Sequence, residues 1–154
     1  MTKVRFLSCL KKRDYLNVSI FDYEQYIKYG QLYEKEGFLS DAIDFFAKAK
    51  AQKQLEALLP KVVAEGDVFL FKKIYRLLKI KPDVTAWKEL GEVALKVGKL
   101  HFALEAFQTI GDEEKISEIK KLLEAGGILF ISQLNLPFIE QKGPKVKEQK
   151  IQQK

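Results

Sequence analysis

The 154-residue sequence has one cysteine, one histidine and four prolines. A lone thiol, Cys9, cannot close an intrachain disulfide, and with His101 alone to help it there is no Cys/His zinc set. No stretch reaches the roughly 20 apolar residues that cross a bilayer. The apolar run from Val4 to Leu10 is short and is followed, not preceded, by Lys11, Lys12 and Arg13, the reverse of a secretory signal. Asn17-Val18-Ser19 fits the glycosylation triplet, but without a route out of the cell it has no functional weight. The strict alternation that marks strands is also missing. These absences lead to the expectation of a cytoplasmic, helical chain without disulfides, membrane span, metal or cofactor.

What is present is a globular composition, 47% hydrophobic and 31% charged, which excludes a wholly disordered or collagen-like chain. The length suits one domain. The formal net charge is +6, which raises the question of nucleic acid. Its location answers in part: residues 1–28 carry +3 and residues 142–154 carry +4, leaving −1 between them. Residues 142–154 hold Gly143-Pro144, five lysines and little apolar surface, so they are read as a disordered basic tail to a domain at 1–141. That tail lacks aromatic residues to stack on bases.

The body contains an internal repeat. Tyr26-x-x-Tyr29-Gly30-x-x-Tyr33, then Gly37, Ala42, Phe46 and Ala49, align at a constant offset of 61 with Trp87-x-x-Leu90-Gly91-x-x-Ala94, then Gly98, Ala103, Phe107 and Ile110. Asp22 and Asp83 correspond too, each where an N-cap satisfies the first amides of a helix. A small residue on each helix (Gly30 with Ala42, Gly91 with Ala103) allows close approach, and Gly37 and Gly98 suit the turn between the helices. The unit is a pair of antiparallel helices.

These residues resemble the tetratricopeptide repeat (TPR), whose W-x2-L-G-x2-Y…A-x3-F signature is met by Trp87, Leu90, Gly91, Ala94, Ala103 and Phe107, with a second match from Tyr26 to Phe46. Uninterrupted 34-residue repeats would give an offset of 34 or 68, so a shorter hairpin must lie between the two units. It is read at 54–66 and 67–80, and a related stretch lies 60 residues later, at Leu122 to Ile131. Glycines at 37, 66, 98 and 126 would then be the interhelical turns. The resemblance implies an all-α, right-handed α-solenoid of about four stacked hairpins, two well matched and two degenerate.

Helices are expected at about 3–16, 23–36, 39–50, 53–65, 68–80, 84–97, 100–109, 113–125 and 128–135. Pro60 should kink its helix or mark a later start. Stacked hairpins need covers at both ends. Val4, Phe6, Leu7, Leu10 and Tyr15 can supply the first. Ile128 to Ile131, Leu134, Leu136, Phe138 and Ile139 either fold back as a final helix, the preferred reading, or dock on another chain.

Acid–base or nucleophilic chemistry needs a base held by an orienting partner. His101 has no serine or cysteine nucleophile at a telling distance and is read as solvent-facing; Cys9 is read as a small core residue. Gly126-Gly127 follows a helix and lacks the Lys-Ser/Thr of a phosphate loop, so it is read as a helix C-cap. Asp112-Glu113-Glu114 suits a helix start. No catalytic, metal or cofactor residue is assigned, and the chain is expected not to be an enzyme.

Recognition remains. In TPR-like arrays the first helix of each hairpin lines the groove, so the resemblance implies Lys28, Gln31, Lys35, Lys88, Glu92 and Lys96 as partner-facing residues. The Lys and Asn that clamp a peptide carboxylate in some TPR proteins are replaced here by Ile27 and Gln31, then Lys88 and Glu92, which argues against that clamp. A second candidate is a basic helix edge formed by Lys72, Lys73, Arg76 and Lys79. The expected function is a non-enzymatic adaptor that binds a protein, a peptide or a second copy of itself. The alternative is a helical adaptor that meets nucleic acid through its basic termini and that edge.

Overall fold

The structure, a computed structural model, describes residues 6–17 and 22–133. Among these residues there are eight α-helices and no strand: α1 (Cys9–Asn17), α2 (Tyr23–Lys35), α3 (Leu39–Lys48), α4 (Gln52–Ala64), α5 (Val68–Leu78), α6 (Val84–Lys96), α7 (Leu100–Ile110) and α8 (Glu113–Gln133). The all-α expectation holds for them. No described helix is long and apolar enough to cross a membrane.

The helix starts follow from the caps read in the sequence. Asp22 Oδ1 accepts from the Gln25 amide at 3.0 Å and Asp83 Oδ1 from Ala86 at 2.7 Å. Asp67 and Asp112 do the same for Leu70 and Lys115. Each satisfies an amide that a helix start leaves unpaired. At the other ends, Gly37, Gly66 and Gly98 all have positive φ. After each, the next amide bonds back to a carbonyl of the last turn, as in Phe38 N to Tyr33 O (2.9 Å) and Lys99 N to Ala94 O (2.8 Å).

Consecutive helices pack as α2 on α3, α4 on α5 and α6 on α7. In the two matched pairs the close approach is built as the repeat requires. A β-carbon on Gly30 would fall 2.4 Å from the Phe46 ring, and one on Gly91 would fall 3.0 Å from the Phe107 ring. Each glycine therefore seats an aromatic of the partner helix.

Packing between pairs runs from α3 to α4 and also joins alternate helices: α3 touches α5, α5 touches α7, and α4 touches α6. Three ion pairs give the register. Lys73 meets Asp44 at 2.7 Å, Lys72 meets Glu105 at 2.7 Å and Lys61 meets Glu34 at 2.8 Å. In each, the two residues lie at nearly the same depth from their helix starts.

The core follows the apolar phase of these helices. One cluster runs from Tyr26 and Phe45 through Leu58, Phe71 and Ile74 to Trp87 and Leu90; a second joins Ala94, Ala103 and Phe107 to Ile116 and Ile119 of α8. No polar side chain is buried among the described residues.

Four expectations need correction. The helices read at 113–125 and 128–135 are, as far as the described residues reach, one helix, α8, which continues through Gly126-Gly127 to Gln133; residues 134 and 135 lie outside the described residues. Cys9 is exposed, not a core residue, because α1 buries no residue at all. Leu10, read as part of the N-terminal cover, is 65% exposed. Phe6 still contributes, edge-on to Tyr33 and Phe38, as does Tyr15 against Tyr26 and Tyr29. The helix read at 68–80 stops at Leu78, because Lys79 adopts φ 58 and closes it as a left-handed cap. Pro60 lies inside α4 without ending it; the carbonyl it leaves without a donor belongs to exposed Glu56, where water can reach it. Val4, the segment from Leu134 to Ile139 and the tail at 142–154 lie outside the described residues.

Candidate functional site

The six groove candidates emerge from the same phase that builds the core. On α2, Tyr26, Gly30 and Tyr33 point inward, which turns Lys28, Gln31 and Lys35 outward. On α6, Trp87, Leu90, Gly91 and Ala94 are buried, and Lys88, Glu92 and Lys96 are exposed. Lys28 is loosely paired with Glu24, 3.8 Å away on the same helix. Among the described residues the other five are in no ion pair.

The two sets are not on adjoining helices. Between them stands α4, packed against α6 and joined to α2 by the Lys61–Glu34 bridge. Among its exposed residues Lys53, Ala57, Pro60 and Ala64 follow one strip of the helix, the last three with short side chains, beside exposed Gln52, Glu56 and Lys61. This strip was not singled out in the sequence, although its signal is present: spacings of four, three and four, out of phase with buried Leu55, Leu58 and Val62.

The basic edge of α5 divides. Lys73 turns to Asp44 of α3 and Lys72 to Glu105 of α7. Arg76 is exposed and in no ion pair among the described residues, and Lys79 lies just past the helix in the left-handed conformation. Half of this charge is thus compensated within the chain.

Elsewhere the electrostatics belong to packing. Lys12 donates to Asp41 Oδ1 at 2.7 Å, and that hydrogen bond raises its pKa above the usual 10.5. Burial pushes the Tyr29 and Tyr75 phenols up from 10.0, with Tyr15 and Asp83 respectively adding to the effect. His101 is exposed at the second position of α7. No group of three or more His, Cys, Asp or Glu residues suited to a metal occurs among the described residues. A depression on α8 is lined by Glu113, Ile116, Ser117, Lys120, Lys121 and Glu124; every wall comes from one helix, so it is a surface trough.

What these helices can do chemically is present exposed polar side chains of mixed charge on α2, α4 and α6, beside an apolar core. Comparison of the chain with protein-family models, with curated proteins and with solved structures found no match.

Proposed function

We propose that the chain is a TPR-like, right-handed α-solenoid acting as a non-enzymatic cytoplasmic adaptor, with a binding domain at 1–141 and a basic tail at 142–154. The observation that carries this reading is the exposed face on the first helices of the three pairs. There Lys28, Gln31, Lys35, Lys88, Glu92 and Lys96 are exposed, as are Ala57, Pro60 and Ala64 of α4. Packing of α3 on α5, α4 on α6 and α5 on α7, and the seating of Phe46 on Gly30 and Phe107 on Gly91, support it as well. Such a face suits a peptide or helix of mixed charge, bound by display of side chains on a preformed surface. The nucleic-acid reading has less support, since Lys72 and Lys73 already hold Glu105 and Asp44.

The test is affinity capture from nuclease-treated lysate, comparing the full chain with two variants. A partner protein should be retained by the full chain and by Lys72→Ala/Arg76→Ala, and lost with Lys35→Glu/Lys88→Glu/Lys96→Glu, whose circular dichroism should be unchanged. Retention by the triple variant, or capture that disappears with nuclease, would overturn the proposal.

A further inference from the structure

Helices α3 and α5 pack against each other and each packs on α4, with Asp44 and Lys73 meeting at the sixth residue of their helices; this register places the ends of α3 and α5, and the α3–α4 and α5–α6 connections that follow them, toward one rim. Six cations scattered through the sequence gather there: Lys48, Lys50, Lys53, Arg76, Lys79 and Lys81. None of the six is in an ion pair among the described residues, whereas Lys61, Lys72 and Lys73 of the same helices each hold a carboxylate. The two connections contain a single carboxylate, Asp83, which caps α6. Acidic residues begin α2 (Asp22, Glu24) and α8 (Asp112, Glu113, Glu114), confining the positive charge to the middle of the rim.

Backbone strain marks the same place. Lys50 (φ 52) and Lys79 (φ 58) are the non-glycine residues with positive φ among the described residues. At the matching end of α7 stands Gly111, with φ 73. A β-carbon is disfavoured in this conformation, and glycine is the usual occupant. Lysine is found at two of the three equivalent positions without an intramolecular salt bridge, and strain of this kind collects at functional surfaces.

Aliphatic side chains stand among the cations. Ile80 is 52% exposed, Val84 65% and Leu77 37%. Ammonium groups beside exposed aliphatic tips match the interface of an anionic bilayer, where headgroups meet the cations and the acyl boundary takes the tips. A nucleic acid has no use for the aliphatic residues, and neither connection holds an aromatic to stack on bases. We propose that this rim is a peripheral docking surface for an anionic lipid bilayer, with Lys50 and Lys79 at the headgroups and Ile80 and Val84 reaching below them.

The experiment is co-sedimentation of the full chain with phosphatidylcholine vesicles containing phosphatidylserine, beside vesicles of phosphatidylcholine alone. Lys50→Gly/Lys79→Gly removes two charges and relieves the strain; it should bind about tenfold more weakly or worse while melting at a higher temperature. Lys50→Glu/Lys79→Glu/Lys81→Glu should lose on the order of a hundredfold. Lys11→Glu/Lys99→Glu/Lys121→Glu, with the same change in net charge away from the rim, should lose far less. Ile80→Ser/Val84→Ser should weaken the part of the binding that survives high salt. Equal losses in the two triple variants, equal binding to phosphatidylcholine alone, or full binding by the glycine double variant would overturn the proposal. So would a rim triple variant that loses duplex RNA or DNA but keeps the vesicles.

Discussion

Gly66 shows how one residue can carry a contact between units. A β-carbon there would lie 2.7 Å from Ala94 Cα and 3.0 Å from Ala94 N, both backbone atoms that cannot rotate aside, and φ is +61. At Gly37, with φ +82, the same β-carbon would meet nothing within 4 Å. Gly66→Ala should therefore cost about 2–4 kcal/mol and Gly37→Ala about 1–2 kcal/mol, read by urea denaturation. Equal losses would show that the approach to Ala94 relaxes freely. The positive φ of Gly37 and Gly98 was legible because glycine is the residue that enters this region without steric cost. The left-handed Lys50 and Lys79 were not, since nothing in a lysine side chain favours that conformation; the two short connections impose it. For the same reason Lys79 read as one more residue of a basic helical edge.

At the scale of the element, α1 and α8 depart most from the pattern. No residue of α1 is buried. It is held by Lys12 on Asp41, by Tyr15 packed edge-on against Tyr26 and Tyr29, and by the hydroxyl of Tyr26 donating to the Tyr15 carbonyl at 3.1 Å. The pKa of Lys12 is raised above 10.5 in the fold, so its contribution is complete below that pH and is lost as pH climbs through the folded value. The raised phenols of Tyr29 and Tyr75 act in the same direction, from 10.0 upward. Thermal stability should be flat across neutral pH and decline above about pH 10, with the amides of α1 exchanging before those of α3 and α4. Lys12→Ala should remove part of the alkaline decline; a decline that instead sets in near neutral pH would contradict this account. The amphipathic pattern placed Cys9 and Leu10 inside because periodicity shows which residues share a face, not whether another element covers it. In α8 the error ran the other way: Gly126-Gly127 is compatible with a turn, but glycine permits a break without requiring one.

For the whole molecule, cohesion rests on apolar contact between pairs. The ion pairs that link them are partly exposed, with side-chain exposures of 24% and 39% for Lys73 and Asp44 and 46% and 43% for Lys72 and Glu105, and each contributes about 1 kcal/mol or less. Phe71 of α5 lies 5.0 Å from the Trp87 ring of α6 and is 1% exposed. Phe71→Ala should cost about 3–5 kcal/mol. Because one core cluster runs from α2 to α6, helical circular dichroism and Trp87 fluorescence should report a single shared transition. Two separated transitions would show that the pairs fold independently.

The sequence by itself determined the helices and their pairing. Phase separates Tyr26, Gly30 and Tyr33 from Lys28, Gln31 and Lys35 along one helix; Asp22 and Asp83 set the starts; the 61-residue offset exposes the repeated Gly–Phe contact. All of these are local, spanning a few turns or one hairpin, and local geometry is what residue order encodes directly. Only the tertiary structure decided which helices stand side by side. It set α4 between the two sets of candidate residues on α2 and α6 and directed Lys72 and Lys73 to carboxylates 33 and 29 residues away. The physical reason is that charge and apolar surface act through space, between residues that the order of the chain keeps far apart.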